Sequence, residues 1–204
     1  MKNIARGRGF SLIELALVLA ILGLLSSALV APLAARIEAS QRREADAMLD
    51  DIANALVGFA LLHRRLPCPS AGEGLEQPPP CAFAADNLLP WRTLGLPQSD
   101  PWGTPWRYRP DGNFSAATIT LTTEPGSAIK VADHAGTLLT TSHSRVVAII
   151  YSFGPNRHAD GGNASAAASA PTFEGGEPAA TFDDRLRWLG HYTLVARLAQ
   201  SGRL

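Results

Sequence analysis

From Phe10 to Ala35 the chain presents an almost unbroken apolar run whose one ionisable residue is Glu14. Such a run reads as a helix, and at about 1.5 Å per residue it is long enough to cross a hydrocarbon core of about 30 Å. A carboxylate at that depth costs about 2.5 kcal/mol or more on insertion scales, so Glu14 requires a partner or a purpose. Ahead of the run stand Lys2, Arg6 and Arg8 with no acidic residue among them. Positive charge on this short side keeps Met1 to Gly9 in the cytoplasm and sends the rest of the chain across. An ordinary secretory signal would be cut after the run, near Ala31-Pro32-Leu33-Ala34, and rarely carries an acid inside it.

The 204 residues leave room for one anchor and one globular domain of ordinary size. The formal charge is zero, and because three of the basic residues precede the apolar run, the remainder is mildly acidic. That balance does not suggest general electrostatic binding to nucleic acid, which would need a basic face. Cys68 and Cys81 lie in a Pro- and Gly-rich stretch that cannot build its own core. In an exported domain they would pair, with a stabilisation of about 3 kcal/mol in the chain-entropy model; in a reducing compartment they would be two buried thiols. No further Cys or His stands at zinc-ligand spacing.

The residues Arg8-Gly9-Phe10-Ser11-Leu12-Ile13-Glu14-Leu15 resemble the type IV prepilin cleavage and methylation motif. The resemblance implies that a prepilin peptidase cuts after Gly9 and methylates the new N-terminus at Phe10, placing Glu14 fifth in the mature chain. It implies a filament in which the Glu14 carboxylate of one subunit meets the Phe10 amine of its neighbour. Two charges that are costly in an apolar interior then neutralise each other. The rival reading of the same residues is a plain signal anchor whose Glu14 faces some other membrane protein.

Beyond Arg36 the pattern turns amphipathic. Ala45, Met48, Leu49, Ile52, Leu56, Phe59 and Leu62 recur at helical spacing, with Arg42, Arg43, Glu44, Asp46, Asp50 and Asp51 on other faces. One long helix is therefore predicted from about Phe10 to about His63, ended by His63, Arg64 and Arg65 with Pro67 blocking continuation. Leu66 to Pro101 reads as a structured connection with apolar anchors at Phe83, Leu88, Leu89, Trp91, Leu94 and Leu96. Strands are predicted around Trp106 to Arg109, Ala117 to Thr123, Ile129 to Val131 and Val146 to Phe153, with a turn at Asp111-Gly112-Asn113. Tyr192 to Leu198 fits either a strand or a short helix. The predicted class is α+β, a long N-terminal helix on a small antiparallel sheet. The predicted organisation is a leader at 1–9, an anchor and filament-core helix at 10–35 and a globular periplasmic domain at 36–204.

The resemblance continues into the domain. Asp100-Pro101-Trp102-Gly103 is similar to a segment of the major pseudopilins of type II secretion systems. Tyr151 to Asn156, Asp160-Gly161-Gly162 and Phe182 to Trp188 resemble their calcium loop. This implies a calcium ion held by Asp160, Asp183 and Asp184, whose hard oxygens suit it. Two features depart from the pattern: Asn156 stands where an Asp is expected, and Asn163 to Pro178 is inserted between the halves of the site. The residues alone also allow Asp183 or Thr181 to cap a helix running through Trp188.

There is no nucleophile elbow, paired-histidine metal helix or phosphate loop, and the histidines at 63, 134, 143, 158 and 191 show no ligand spacing. The leading expectation is a structural subunit, a pseudopilin or minor pilin in the bacterial inner membrane. Its implied partners are other pilin or pseudopilin subunits, a prepilin peptidase and an inner-membrane assembly platform with a separate ATPase. One alternative is a tip subunit that touches a surface, DNA or an exported protein through its inserts. Another is a signal-anchored periplasmic enzyme.

Overall fold

The computed structural model describes residues 11–81, 87–141, 145–165, 171–179 and 181–204, with the side chains of 25–32 and 165 left out. Gly9, Phe10, Phe83 and His143 lie outside the described residues. Compact units are formed by 1–41 and by 42–204.

Helix α1 runs from Leu12 to His63. It starts where the Ser11 hydroxyl accepts the Glu14 amide at 3.3 Å, an N-cap contact. It ends where Arg64 takes φ 57 and donates its amide to the Ala60 carbonyl. In the first unit every described apolar side chain from Leu12 to Leu24 is exposed, Leu12 at 89% and Leu24 at 72%. Among the described residues no helix is long and apolar enough to cross a membrane. The expected anchor also includes Phe10 and residues 25–32, outside that description.

In the second unit, Ala45, Leu49, Ile52, Leu56, Phe59 and Ala60 are buried along one stripe of α1, as the periodicity predicts, while Met48 is half-buried. Leu62 is an exception, 71% exposed, because the helix ends one residue later and leaves it nothing to pack on. The stripe meets Trp102, Trp106, Tyr108, Phe114, Val147, Ala148, Ile150, Leu189, Leu194 and Leu198 in one core.

The sheet is three-stranded and antiparallel in the order β1 (Arg107–Pro110), β3 (Val146–Ser152), β5 (Arg185–Gly190). Central β3 is buried throughout. Val147, Ala148 and Ile150 join the helix-side core, while Val146, Ile149 and Tyr151 pack on Ile129, Val131 and Phe173 in a second one. That second core is covered by a parallel pair, β2 (Lys130–Ala132), where a strand is predicted at Ile129 to Val131, with β4 (Thr172–Glu174), which the sequence pattern did not suggest.

Several local expectations are corrected. Asp111-Gly112-Asn113 is the start of a short helix, α3 (Gly112–Ala116), because the Asp111 carboxylate caps it through the Asn113 amide at 2.9 Å. Ala117 to Thr123 is not a strand. The Thr120, Thr122 and Thr123 hydroxyls bond to one another and to the Thr120 amide, local bonds that compete with a sheet ladder. Of the two readings left open for Tyr192 to Leu198 the structure takes the helix, within α4 (His191–Gln200), with Leu194 and Leu198 one turn apart in the core.

In the connection, Cys68 and Cys81 are joined by a disulfide. The loop they close is held from outside, where Arg65 forks onto Glu76 at 2.8 and 3.0 Å, and from within, where the Ser70 hydroxyl accepts the amides of Gly72 and Gly74. Gly74, at φ +78, sits so close to Trp91 that a Cβ there would lie 2.3 Å from the indole. Leu89 and, at the start of short helix α2 (Trp91–Leu94), Trp91 are buried.

Candidate functional site

The loop after β3 and the segment entering β5 bring Asp160, Asp183 and Asp184 together, one oxygen from each lying within 4.8 Å of the others. The Asp-Pro-Trp-Gly segment prepares this loop. Asp100 is buried, and its carboxylate accepts the Trp102 and Thr104 amides at 3.0 and 2.8 Å and the Ser152 hydroxyl at 2.5 Å. The Ser152 oxygen accepts the Gly154 amide in turn, so the end of β3 is tied to the start of the loop. Gly154 has φ +65 and lies where a Cβ would be 2.4 Å from the Asp183 carbonyl oxygen, a close approach that only glycine permits.

Within the loop, Asn156 donates from Nδ2 to both Asp160 oxygens at 3.0 and 3.1 Å, and its amide reaches Asp183. The residue that departs from the family pattern therefore binds one of the carboxylates as a neutral donor. The Asp183 amide donates to Asp160, and the Asp160 amide to Asp184. Asp183 and Asp184 do not cap a helix, because Arg185 to Gly190 is strand β5. The alternation in Arg185-Leu186-Arg187-Trp188-Leu189 carried that signal, with Arg185 and Arg187 reaching Asp46 and Asp50 of α1.

Asp184 is only 1% exposed, and its Oδ1 is buried with no hydrogen-bond partner. Burial, followed by the nearby Asp160 and Asp183 charges, pushes its carboxyl up to about 7. A buried acid with an unmet oxygen beside two further carboxylates is an arrangement that a cation would stabilise. The donor set consists of carboxylate oxygens, hard ligands that fit calcium better than a thiophilic metal. Sequence reasoning missed Asn163, whose amide also reaches Asp184 at 2.9 Å. Nothing in its local sequence marks it.

The described histidines do not assemble a reactive centre. His63 stacks on Phe59, His191 packs edge-on to Phe114, and His134 pairs with Glu174. A groove of about 520 Å³ is lined by Ile129, Lys130, Leu138, Thr140, Arg145 and the backbone around Ser127. The Ser127 hydroxyl there donates to the Asp111 carboxylate, which also accepts the Gly126 and Ser127 amides at 3.2 and 2.7 Å.

Residues 4–30 match the family described as the prokaryotic N-terminal methylation motif. The chain is 34% identical over 122 residues to the type II secretion system core protein G of Pectobacterium carotovorum subsp. carotovorum, covering 56% of this chain and 74% of that protein. It belongs to the type II secretion core protein G family. The core protein G of Aeromonas hydrophila is 33% identical over 118 residues, covering 56% of this chain and 80% of its own length. No solved structure matches the chain. The family membership agrees with the pilin-like resemblance carried by Arg8 to Leu15 and by the Asp-Pro-Trp-Gly segment, and with the α+β layout of a long helix on a small sheet.

Proposed function

We propose that this core protein G relative is a structural subunit of a type II secretion filament, processed after Gly9 and N-methylated at Phe10. Residues 1–9 act as leader, 10–35 as anchor and filament core, and 36–204 as the periplasmic domain beyond the bacterial inner membrane. Its partners are other pseudopilin subunits, a prepilin peptidase and an inner-membrane platform driven by a separate ATPase. The observation that carries this reading is the apolar surface of α1 from Leu12 to Leu24, which stays exposed among the described residues and holds one carboxylate, Glu14. An apolar helix of this kind is satisfied by lipid before assembly and by neighbouring helices after it.

Glu14 supplies the negative half of a subunit contact whose positive half is the Phe10 amine of the next copy. Asp160, Asp183 and Asp184 would hold calcium, which when bound supplies positive charge that ties the loop after β3 to the start of β5. The reading is tested by expressing Glu14→Ala with the rest of the secretion machinery. The filament should be lost while the membrane-extracted subunit keeps the melting temperature of the parent. Filaments at parental yield would contradict the assembly role.

A further inference from the structure

We infer that Asn163 and residues 171–178 of the inserted segment support the metal loop, with Asn163 as the residue that positions Asp184. The inference rests on the calcium reading above. Asn163 is 1% exposed. Its Oδ1 accepts the Glu174 amide at 2.9 Å and its Nδ2 donates to the Glu174 carbonyl at 3.0 Å, so the side chain grips the backbone of β4 as a neighbouring strand would. The same Nδ2 donates to Asp184 Oδ2 at 2.9 Å, and the Asp160 amide donates to that oxygen at 3.0 Å. Two neutral donors thus fix one oxygen of Asp184 and leave Oδ1 as the oxygen available to a ligand. Neutral donors orient a ligating carboxylate without cancelling its charge.

The far end of the segment is fastened as well. The Glu174 carboxylate accepts the Gly162 amide at 3.1 Å and pairs with His134 Nδ1, while His134 Nε2 faces the Glu177 carbonyl at 3.0 Å. The His134 ring stands edge-on to Phe182, next to Asp183 in the chain. Gly161 is held so close to Glu174 that a Cβ there would lie 1.8 Å from Oε2. β4 itself is paired along β2. An insertion that interrupts the sequence of the site therefore closes on it in space, and Asn163 is where the two meet.

The test is a calcium titration of the full chain in detergent micelles by calorimetry, with thermal unfolding in calcium and in chelator. Asn163→Ala should bind calcium about tenfold more weakly or worse, as loss of an outer-shell partner does. Its calcium-dependent rise in Tm should shrink to match. If Asn163 served folding alone, the variant would lose Tm equally in calcium and in chelator and keep the parental Kd, which would overturn the inference. Should Asn163→Ala fail to fold, exposed His134→Ala, which loosens the same segment from its other end, decides in its place. Weakened calcium binding is expected, and an unchanged Kd overturns the inference. A parent chain that binds no calcium would overturn the metal reading itself, and the positioning role with it, before any variant is compared.

Discussion

The Arg187 guanidinium on β5 forks onto the Asp50 carboxylate on α1, Nε to Oδ1 at 2.6 Å and Nη2 to Oδ2 at 3.2 Å. One turn earlier on the helix and two residues earlier on the strand, Arg185 pairs with Asp46 in the same way. Helical and strand periods thus coincide here, i to i+4 on α1 and i to i+2 on β5, which fixes the register of helix against sheet.

The hydrogen bond from Arg187 holds the Asp50 carboxyl below its usual 3.8. A carboxyl with a depressed folded-state value contributes stability that is complete above the unfolded value and lost as pH falls through the folded one. The pair is largely exposed, so Arg187→Ala should cost no more than about 1 kcal/mol at pH 7. In urea unfolding that difference should close in strong acid. A difference that persists there would assign the effect to packing of the arginine stem.

Leu56, on the buried stripe of α1, is fully buried in the helix-side core. Leu56→Ala should destabilise the domain by about 2 to 5 kcal/mol, from lost transfer energy and the remaining cavity. Exposed Leu62, on the same helix, should tolerate alanine within about 0.5 kcal/mol. Equal losses at both positions by urea unfolding would contradict the assigned face.

Calcium should raise the melting temperature of the chain, and chelator should reverse the rise. At a free concentration of 100 Kd the added stability is about 2.7 kcal/mol. Asp184→Asn removes the charge at the buried carboxylate with the unmet oxygen and should abolish the shift. In chelator the same variant should lose little, since it relieves repulsion from Asp160 and Asp183. A calcium shift that survives Asp184→Asn would place the ion elsewhere.

The sequence made α1 and β3 legible because each carries a pattern that burial enforces, a 3.6-residue stripe from Ala45 to Phe59 and a continuous apolar run from Val146 to Tyr151. The three carboxylates were legible as residue types, and their meeting followed from a family resemblance. What stayed hidden depended on partners far along the chain. β5 was masked because Asp183 and Asp184 look like a helix cap, and the acids of α1 that Arg185 and Arg187 meet lie 139 and 137 residues earlier in the chain. β2 was legible at Ile129 to Val131, but its parallel partner β4 is only three residues long, too short to leave a period. Asn163 is an ordinary asparagine until Glu174 and Asp184 are brought to it.

The central claim, a processed filament subunit, is tested most directly by mass spectrometry of the N-terminus of the membrane-extracted protein, expressed with and without its prepilin peptidase. The account predicts a chain beginning at N-methylated Phe10 only where the peptidase is present. A chain that starts at Met1 in both cells, or one cut near Ala35, would contradict it.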